Sequence, residues 1–244
     1  MYNSLKRIAK FIIPKSILKK NESLFRRLIS IKYSGGNHLC NICSKRLNQF
    51  VTIYDEDLLC PNCGSRSRTR RLYDTLKNNN VLHGNVLHFS PNKILYSKFK
   101  NLDIEYFSTD FEDEFTADYR YDITAIPKED NFFDVIICYH VLEHIEDDTK
   151  AISELHRVLK PSGSCYIQTP FKDGEIYEDR SIRNPADREK AFGQKDHVRI
   201  YSIKGLERRL DKVGFSIEIN NYKSNAYFGY KEETVIIAKK IISE

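Results

Sequence analysis

The hydrophobic positions change their period along the chain, and the changes mark out its parts. Leu5, Ile8, Ala9 and Ile12 recur at helical spacing. Leu24, Phe25, Leu28 and Ile29 do so again beyond Pro14, with lysines and arginines filling the other faces. Two short amphipathic helices are predicted within residues 3–32. Ser34-Gly35-Gly36-Asn37 is a turn-rich break and predicts a boundary. Residues 38–64 read as short strand pieces between cysteines. Residues 65–80 read as a helix carrying Leu72 and Leu76, stopped at Asn78-Asn79-Asn80.

From residue 85 the rhythm differs. Short β-rich apolar runs fall at 85–89, 103–108, 133–138, 164–169, 214–220 and 233–239, and helical patterns at 147–159 and 202–212. Strand alternating with helix predicts an α/β domain whose parallel strands are joined by right-handed crossovers. The polar stretch 171–200 is too long for an ordinary connection and is expected to cover a substrate. The division predicted is a basic helical arm at 1–36, a cysteine module with its linking helix at 37–80, and a large α/β domain at 81–244.

Composition narrows the class. The 244 residues are 41% hydrophobic and 30% charged, enough apolar material for a core. There is no run of about 18 apolar residues and no apolar leader with a small-residue cleavage site, so a cytoplasmic location is expected. Residues 1–33 carry nine basic side chains and one acidic, a balance of +8 against +5 for the whole chain. The remainder is therefore slightly acidic. The basic arm suggests peripheral contact with an anionic membrane face, or a helix packing on the body or a partner.

Four of the six cysteines form two C-x-x-C pairs, Cys40/Cys43 and Cys60/Cys63, sixteen residues apart. Two such corners can converge on a tetrahedral zinc site, and four sulfur ligands leave no position open for catalysis. A structural zinc ribbon is expected; the other reading is reduced structural cysteines. Arg66, Arg68, Arg70 and Arg71 follow directly. They suit phosphate or nucleic-acid contact, but a solvated face, or docking on the acidic stretch Asp110 to Asp118, is the preferred reading.

Residues 121–170 run Asp122-x-x-x-Ile126-Pro127, then Phe133-Asp134 opening a strand, then His140-Val141-Leu142-Glu143-His144. A helix follows, ending Arg157-Val158-Leu159-Lys160-Pro161-x-Gly163. This pattern resembles class I S-adenosylmethionine-dependent methyltransferases of the type-11 kind, from about residue 84 to 239. The resemblance implies a Rossmann-like parallel sheet with an antiparallel last strand. His88-Phe89-Ser90-Pro91 and the stretch Phe192-Gly193-Gln194 to Arg199 are similar to a bacterial subfamily associated with surface-polysaccharide genes.

The site residues follow from that resemblance. In an open parallel sheet ligands bind at the carboxyl ends of the strands, near the topological switch point. Asp110 is expected to bond the ribose hydroxyls of S-adenosylmethionine, with Glu112 and Asp113 as rivals. Asp122 is expected at the adenine amine with Ile123 against the ring, and Cys138, Tyr139 and His140 at the methyl-donor end. Turn or capping roles are the alternative for both aspartates. The usual first-strand loop is glycine-rich; this chain has His88-Phe89-Ser90-Pro91-Asn92 instead, so His88 and Ser90 are expected to crowd or replace its backbone contacts.

Methyl transfer to a sugar hydroxyl calls for a positioned base, and His140, His144 and His197 are the candidates. Asp196, His197 and Arg199 are expected to meet substrate, the arginine through a phosphate or carboxylate. The expected function is O-methylation of a small or glycan acceptor in bacterial surface-polysaccharide metabolism. An RNA methyltransferase led by its zinc ribbon and a non-catalytic binding module are the alternatives.

Overall fold

A computed structural model describes residues 21–53 and 57–241. The first of the two predicted amphipathic helices, and most of the basic arm, lie outside them. The chain divides into two compact units, residues 1–79 with 222–233 and residues 80–221 with 234–244. The predicted third part thus lends the segment 222–233 to the first unit.

The first unit opens with α1 (Glu22–Ser30) and a 3-10 turn at Ile31–Tyr33. Two short antiparallel ribbons follow, β1 (Ser34–Leu39) with β2 (Arg46–Leu47), and β3 (Val51–Thr52) with β4 (Leu58–Leu59). Each ribbon delivers the chain into one cysteine pair. Then comes α2 (Ser67–Asn78), which buries Leu72, Leu76, Arg70 and Arg71.

The second unit supplies β5 (Asn85–Phe89), α3 (Lys93–Phe99), β6 (Glu105–Thr109), β7 (Phe133–Tyr139), α4 (Asp148–Val158) and β8 (Leu159–Gln168). It continues with β9 (Tyr177–Glu178), α5 (Pro185–Phe192), β10 (Arg199–Ile200), α6 (Ile203–Asp211), β11 (Phe215–Tyr222) and β12 (Glu233–Lys240). Six strands form one sheet in the order β11-β12-β8-β7-β5-β6. β5 pairs in parallel with both β6 and β7, β7 pairs in parallel with β8, and β12 runs antiparallel to β8. Consecutive β5 and β6 lie side by side, and the chain then crosses to the other flank of β5 to form β7. That reversal is the topological switch, and the carboxyl ends of β5 and β7 open there.

The buried apolar runs do what the pattern predicts. Val135, Ile136, Ile137 and Cys138 of β7 are at most 1% exposed, as a strand covered on both faces requires. Ala151, Ile152, Leu155 and Val158 put one stripe of α4 into the same core. Asp147 caps that helix, its carboxylate accepting from the Lys150 amide. One boundary moves: β8 begins at Leu159, inside the predicted end of the helix, and bulges before Ser164. Gly163 sits in the bulge because a Cβ there would lie 2.8 Å from the Lys160 carbonyl oxygen.

Two helices were not expected. Asn92 accepts from the amides of Ile94 and Leu95 and starts α3. Asn184 caps α5, with Pro185 in its first turn and Gly193 closing it at φ 87°. The predicted polar insertion is therefore structured, with α5 between the paired strands β9 and β10.

Candidate active site

The carboxyl ends of β5 and β7 both turn through left-handed residues. Ser90 has φ 45° and His140 has φ 55°. Side chains seldom accept this region, and their presence marks backbone held by its surroundings. Hydrogen bonds hold both here: the Ser90 amide donates to the Thr109 carbonyl at 2.7 Å, and the His140 amide to that of Gln168 at 2.8 Å. Ser90 thus keeps a conformation that glycine adopts freely.

A cavity of about 470 Å³ opens between these two ends. Ser90, Asp110, Phe115, His140, His144 and Asp196 are among its walls. Asp110 is 5% exposed and its carboxylate already accepts three bonds. They come from Ser90 Oγ at 2.7 Å and the amides of Glu114 at 2.7 Å and Phe115 at 3.0 Å. An ionised carboxylate offers about four lone-pair sites. One remains, and the rotatable Ser90 hydroxyl can release a second.

His140, Glu143 and His144 stand on the turn after β7, where a 3-10 helix spans Leu142–His144. That tight turn brings residues three apart together. His140 Nδ1 lies 3.2 Å from Glu143 Oε1. Glu143 is 1% exposed, and its other oxygen, Oε2, has no hydrogen-bond partner. Burial pushes the Glu143 carboxyl up, but the His140 hydrogen bond and the nearby imidazoles outweigh this and hold it below its ordinary range. Glu143 is therefore a buried anion facing histidines, and the sequence reading gave it no chemical role. Its offset from His140 was the available signal.

The insertion supplies the other wall. His144 Nδ1 lies 3.2 Å from Asp196 Oδ2, and the His144 and His197 rings stand perpendicular with centroids 4.7 Å apart. His197 is buried, its Nδ1 3.2 Å from the Phe192 carbonyl oxygen. Burial, then the neighbouring His144, lowers its pKa. The three predicted histidines thus gather around Glu143.

Other predicted residues stand elsewhere. His88 is buried away from the cavity wall, its Nδ1 3.0 Å from the Tyr106 hydroxyl and its ring against Phe99. Burial pushes its pKa down to about 3. It is a core histidine and does not line the cavity. Cys138, Tyr139 and Ile123 are also buried in the core, and burial raises the Cys138 thiol. Asp122 accepts from the amide and hydroxyl of Thr124, each at 2.8 Å, and so shapes its own turn.

Arg199 is a correction. Its guanidinium is buried and spent within the fold, on Glu178 Oε2 at 2.9 Å and on the carbonyls of Leu142, Ile145 and Glu146. It orders the turn that carries Glu143 and His144 rather than reaching for substrate.

The four paired cysteines stand together in the first unit. Their sulfurs lie within 4.8 Å of one another, with Cys40–Cys63 at 3.7 Å and Cys43–Cys60 at 3.8 Å. Zn–S bonds of about 2.3 Å in a tetrahedron put sulfurs about 3.8 Å apart. The two corners are the same turn made twice. The amides of Ser44 and Gly64 donate back to the carbonyls of Cys40 and Cys60, at 2.8 and 2.9 Å. Both turn residues are left-handed, at φ 57° and 81°. Asn62 Nδ2 donates to Cys43 Sγ at 3.3 Å, and Ser65 Oγ is 3.3 Å from Cys40 Sγ.

Two members of the arginine cluster, Arg70 and Arg71, are buried and engaged within the first unit, while Arg68 is exposed. Arg70 donates to the carbonyls of Ser65, Leu58, Phe228 and Gly229, and Arg71 to those of Lys223 and Lys231. Arg66 pairs with Asp57 at 2.5 Å. Among the described residues no helix is long and apolar enough to cross a membrane.

A sequence profile of the methyltransferase domain family matches residues 33–218. The chain belongs to the class I S-adenosylmethionine-dependent methyltransferases. Its curated relatives match in short stretches. An uncharacterized protein of Methanocaldococcus jannaschii, MJ0638, is 39% identical over 57 residues, covering 23% of this chain and 25% of that one. The ubiquinone biosynthesis O-methyltransferase of Pseudomonas aeruginosa is 36% identical over 45 residues, 18% of this chain and 19% of that one. The chain thus matches about a quarter or less of these relatives' length.

Solved structures share the fold. The methyltransferase superposes on an S-adenosylmethionine-dependent methyltransferase from Archaeoglobus fulgidus with a TM-score of 0.51 at 15% identity, covering 70% of this chain and 93% of that one. It superposes on the [4+2]-cyclase SpnF with a TM-score of 0.54 at 16% identity, over 93% and 96% of the two chains. A cyclase on this fold shows why the reaction has to be argued from the site.

Proposed function

We propose that the chain is an S-adenosylmethionine-dependent O-methyltransferase acting on a sugar or another small or glycan acceptor, with His140 as base and Glu143 as its orienting carboxylate. The observation that carries this reading is the His140–Glu143 pair at the end of β7, 3.2 Å apart and on the wall of the cavity at the switch point. The residues present fit the cofactor. The cavity has the size of a cofactor pocket, and Asp110 keeps one lone-pair site free and shares another with a hydroxyl that can turn away. When bound, S-adenosylmethionine supplies an electrophilic methyl group on a sulfonium sulfur.

The chain's own residues do the rest. Asp110 and Ser90 hold the ribose side. Glu143 Oε1 keeps the His140 proton on Nδ1, so Nε2 takes the proton of the acceptor hydroxyl. Glu143 stays ionised and stabilises the imidazolium that forms. Phe111 and Phe115, about half exposed beside the cavity, offer flat apolar faces to a sugar ring. Lys195 gives the same wall a cationic group for a phosphorylated carrier, whereas Arg188 is paired with Glu146 at 2.6 Å.

The four cysteines we read as a structural zinc site, on the sulfur spacing given above. They fill a tetrahedron and leave the ion no open position. The RNA alternative loses ground because Arg70 and Arg71, half of the cluster it relies on, are buried. The membrane reading of the basic arm rests on charge alone.

Calorimetric titration with S-adenosylmethionine and S-adenosylhomocysteine tests the reading. Micromolar binding is expected, weakened at least tenfold in Asp110→Ala and retained in His140→Gln. No binding of either compound by the folded protein overturns it. Release of S-adenosylhomocysteine with nucleotide sugars, and not with RNA, is the expected second result.

A further inference from the structure

We infer that Glu143, His144 and His197 form a binding site for a divalent transition-metal ion at the cavity wall that His144 lines, with Glu143 and His197 buried beside it. The site lies in the second unit, separate from the four cysteines, and stands whether or not the acceptor is a sugar.

The donor set comes first. One carboxylate oxygen and one ring nitrogen from each histidine lie within 4.8 Å of one another. Two metal–ligand bonds of about 2.0 to 2.2 Å span at most about 4.4 Å. The three groups are thus a small side-chain adjustment from sharing one ion. The orphaned oxygen comes second. Glu143 is 1% exposed and its Oε2 has no hydrogen-bond partner. A buried carboxylate oxygen without a donor costs on the order of kcal/mol, and a cation beside it removes that cost.

The histidine tautomers come third. His144 Nδ1 faces Asp196 Oδ2 and His197 Nδ1 faces the Phe192 carbonyl, both at 3.2 Å. An oxygen acceptor at each Nδ1 places the ring proton there and leaves the Nε2 lone pair free. Metal-binding histidines are oriented in this way, by an outer carboxylate or carbonyl. The rings stand at 87° to each other, so they approach one point from different directions. The element bonds keep the three residues together. The Val198 amide donates to the Glu143 carbonyl at 2.9 Å, and Arg199 fixes the carbonyls around the 3-10 turn.

Two imidazoles and one carboxylate suit Zn²⁺, Fe²⁺, Co²⁺ or Mn²⁺ better than Mg²⁺ or Ca²⁺, which prefer all-oxygen shells. Three protein ligands would leave such an ion further coordination positions to fill. A ligand hydroxyl entering there binds the ion as a Lewis acid, next to His140.

The test uses the full-length protein, stripped and reloaded with Co²⁺ alone. Bound metal is counted by elemental analysis, and the visible spectrum separates thiolate from nitrogen–oxygen coordination. We expect His144→Ala to lose about one equivalent per chain and its nitrogen–oxygen bands, while keeping the thiolate bands and the far-ultraviolet dichroism. His197→Gln and Glu143→Gln are expected to do the same. Equal metal content and spectra in wild type and His144→Ala would overturn the site. So would a wild-type spectrum carrying thiolate bands only. Neither result depends on cofactor binding, so failure here leaves the methyltransferase reading standing, and failure of that reading leaves this one.

Discussion

His140 joins backbone strain to chemistry in one residue. Its left-handed φ of 55° is uncomfortable for any residue with a Cβ, yet this turn aims the imidazole at Glu143 and the cavity. The strain belongs to the backbone, so it persists when the ring is removed. His140→Gly is therefore expected to be more stable than His140→Ala by about 1 kcal/mol, although glycine loses more entropy on folding. Urea denaturation of the two variants decides it, and equal midpoints would mean the turn relaxes. His88 makes a different prediction. Its pKa is near 6.5 in the unfolded chain and about 3 when buried, so between these values the unfolded state holds the extra proton. Stability should rise as pH goes from about 3 to 6.5 and this contribution should level off above. His88→Gln removes the titrating ring and should flatten that slope. An unchanged slope would place the acid sensitivity elsewhere.

At the scale of elements, the insertion is held by a buried charge network as well as by apolar side chains such as Phe192 and Val198. Arg199, Arg209, Glu178, Asp148 and the Tyr201 hydroxyl make a connected set that ties β9, β10 and α6 to the start of α4. Arg199 is its most buried cation, with side chain 4% exposed. Removing one member of a buried ion pair leaves its partner uncompensated, at a cost of about 3 to 5 kcal/mol. Arg199→Ala should lose stability on that scale. Arg199→Lys should recover only part, because one ammonium cannot replace a fork that meets Glu178 and three carbonyls at once. Full recovery in the lysine variant would make the carbonyl bonds incidental. The same network explains why Arg199 was misread. An arginine beside Asp196 and His197 looks like a substrate contact in sequence, and only tertiary packing shows its donors engaged. By contrast, the six sheet strands were legible within a few residues, because the central ones are buried runs and the edge strand β11 is a short β-rich stretch that no helix pattern fits. α3 and α5 were missed although Asn92 and Asn184-Pro185 announce them, since the helices are only seven and eight residues long and show too little of a repeating apolar stripe. The gathering of His140, His144 and His197 was legible as a set of candidates, but the carboxylate at their centre was not.

At the scale of the whole chain, the segment 222–233 leaves the sheet between β11 and β12 and folds with the residues around the cysteines. One guanidinium explains how the two are joined. Arg70 reaches the Ser65 carbonyl beside the second cysteine corner and, with its other nitrogens, the carbonyls of Phe228 and Gly229 at 2.9 and 2.6 Å. Gly229 has φ 64°, and a Cβ there would fall 2.5 Å from the Phe50 ring and 2.8 Å from Arg70 Nη2, so only glycine admits that approach. Arg70 thus ties the cysteine corners to a segment some 160 residues later in the chain, and the two are expected to fold together. Structural zinc sites contribute folding free energy directly, about 10 kcal/mol or more in small metal-dependent domains. If zinc holds the corners, removing it should loosen 222–233 together with 34–79. Hydrogen exchange measured before and after chelation checks this. Amides of Cys60, Gly64, Gly229 and Tyr230 should lose protection in step, because their bonds converge on the same corner through Arg70. Arg70→Lys should separate them: the cysteine corners stay protected with metal bound, and 222–233 exchanges faster. If chelation leaves all four amides protected, the ribbons and Arg70 stabilise the unit without the ion, and the four cysteines are reduced packing residues.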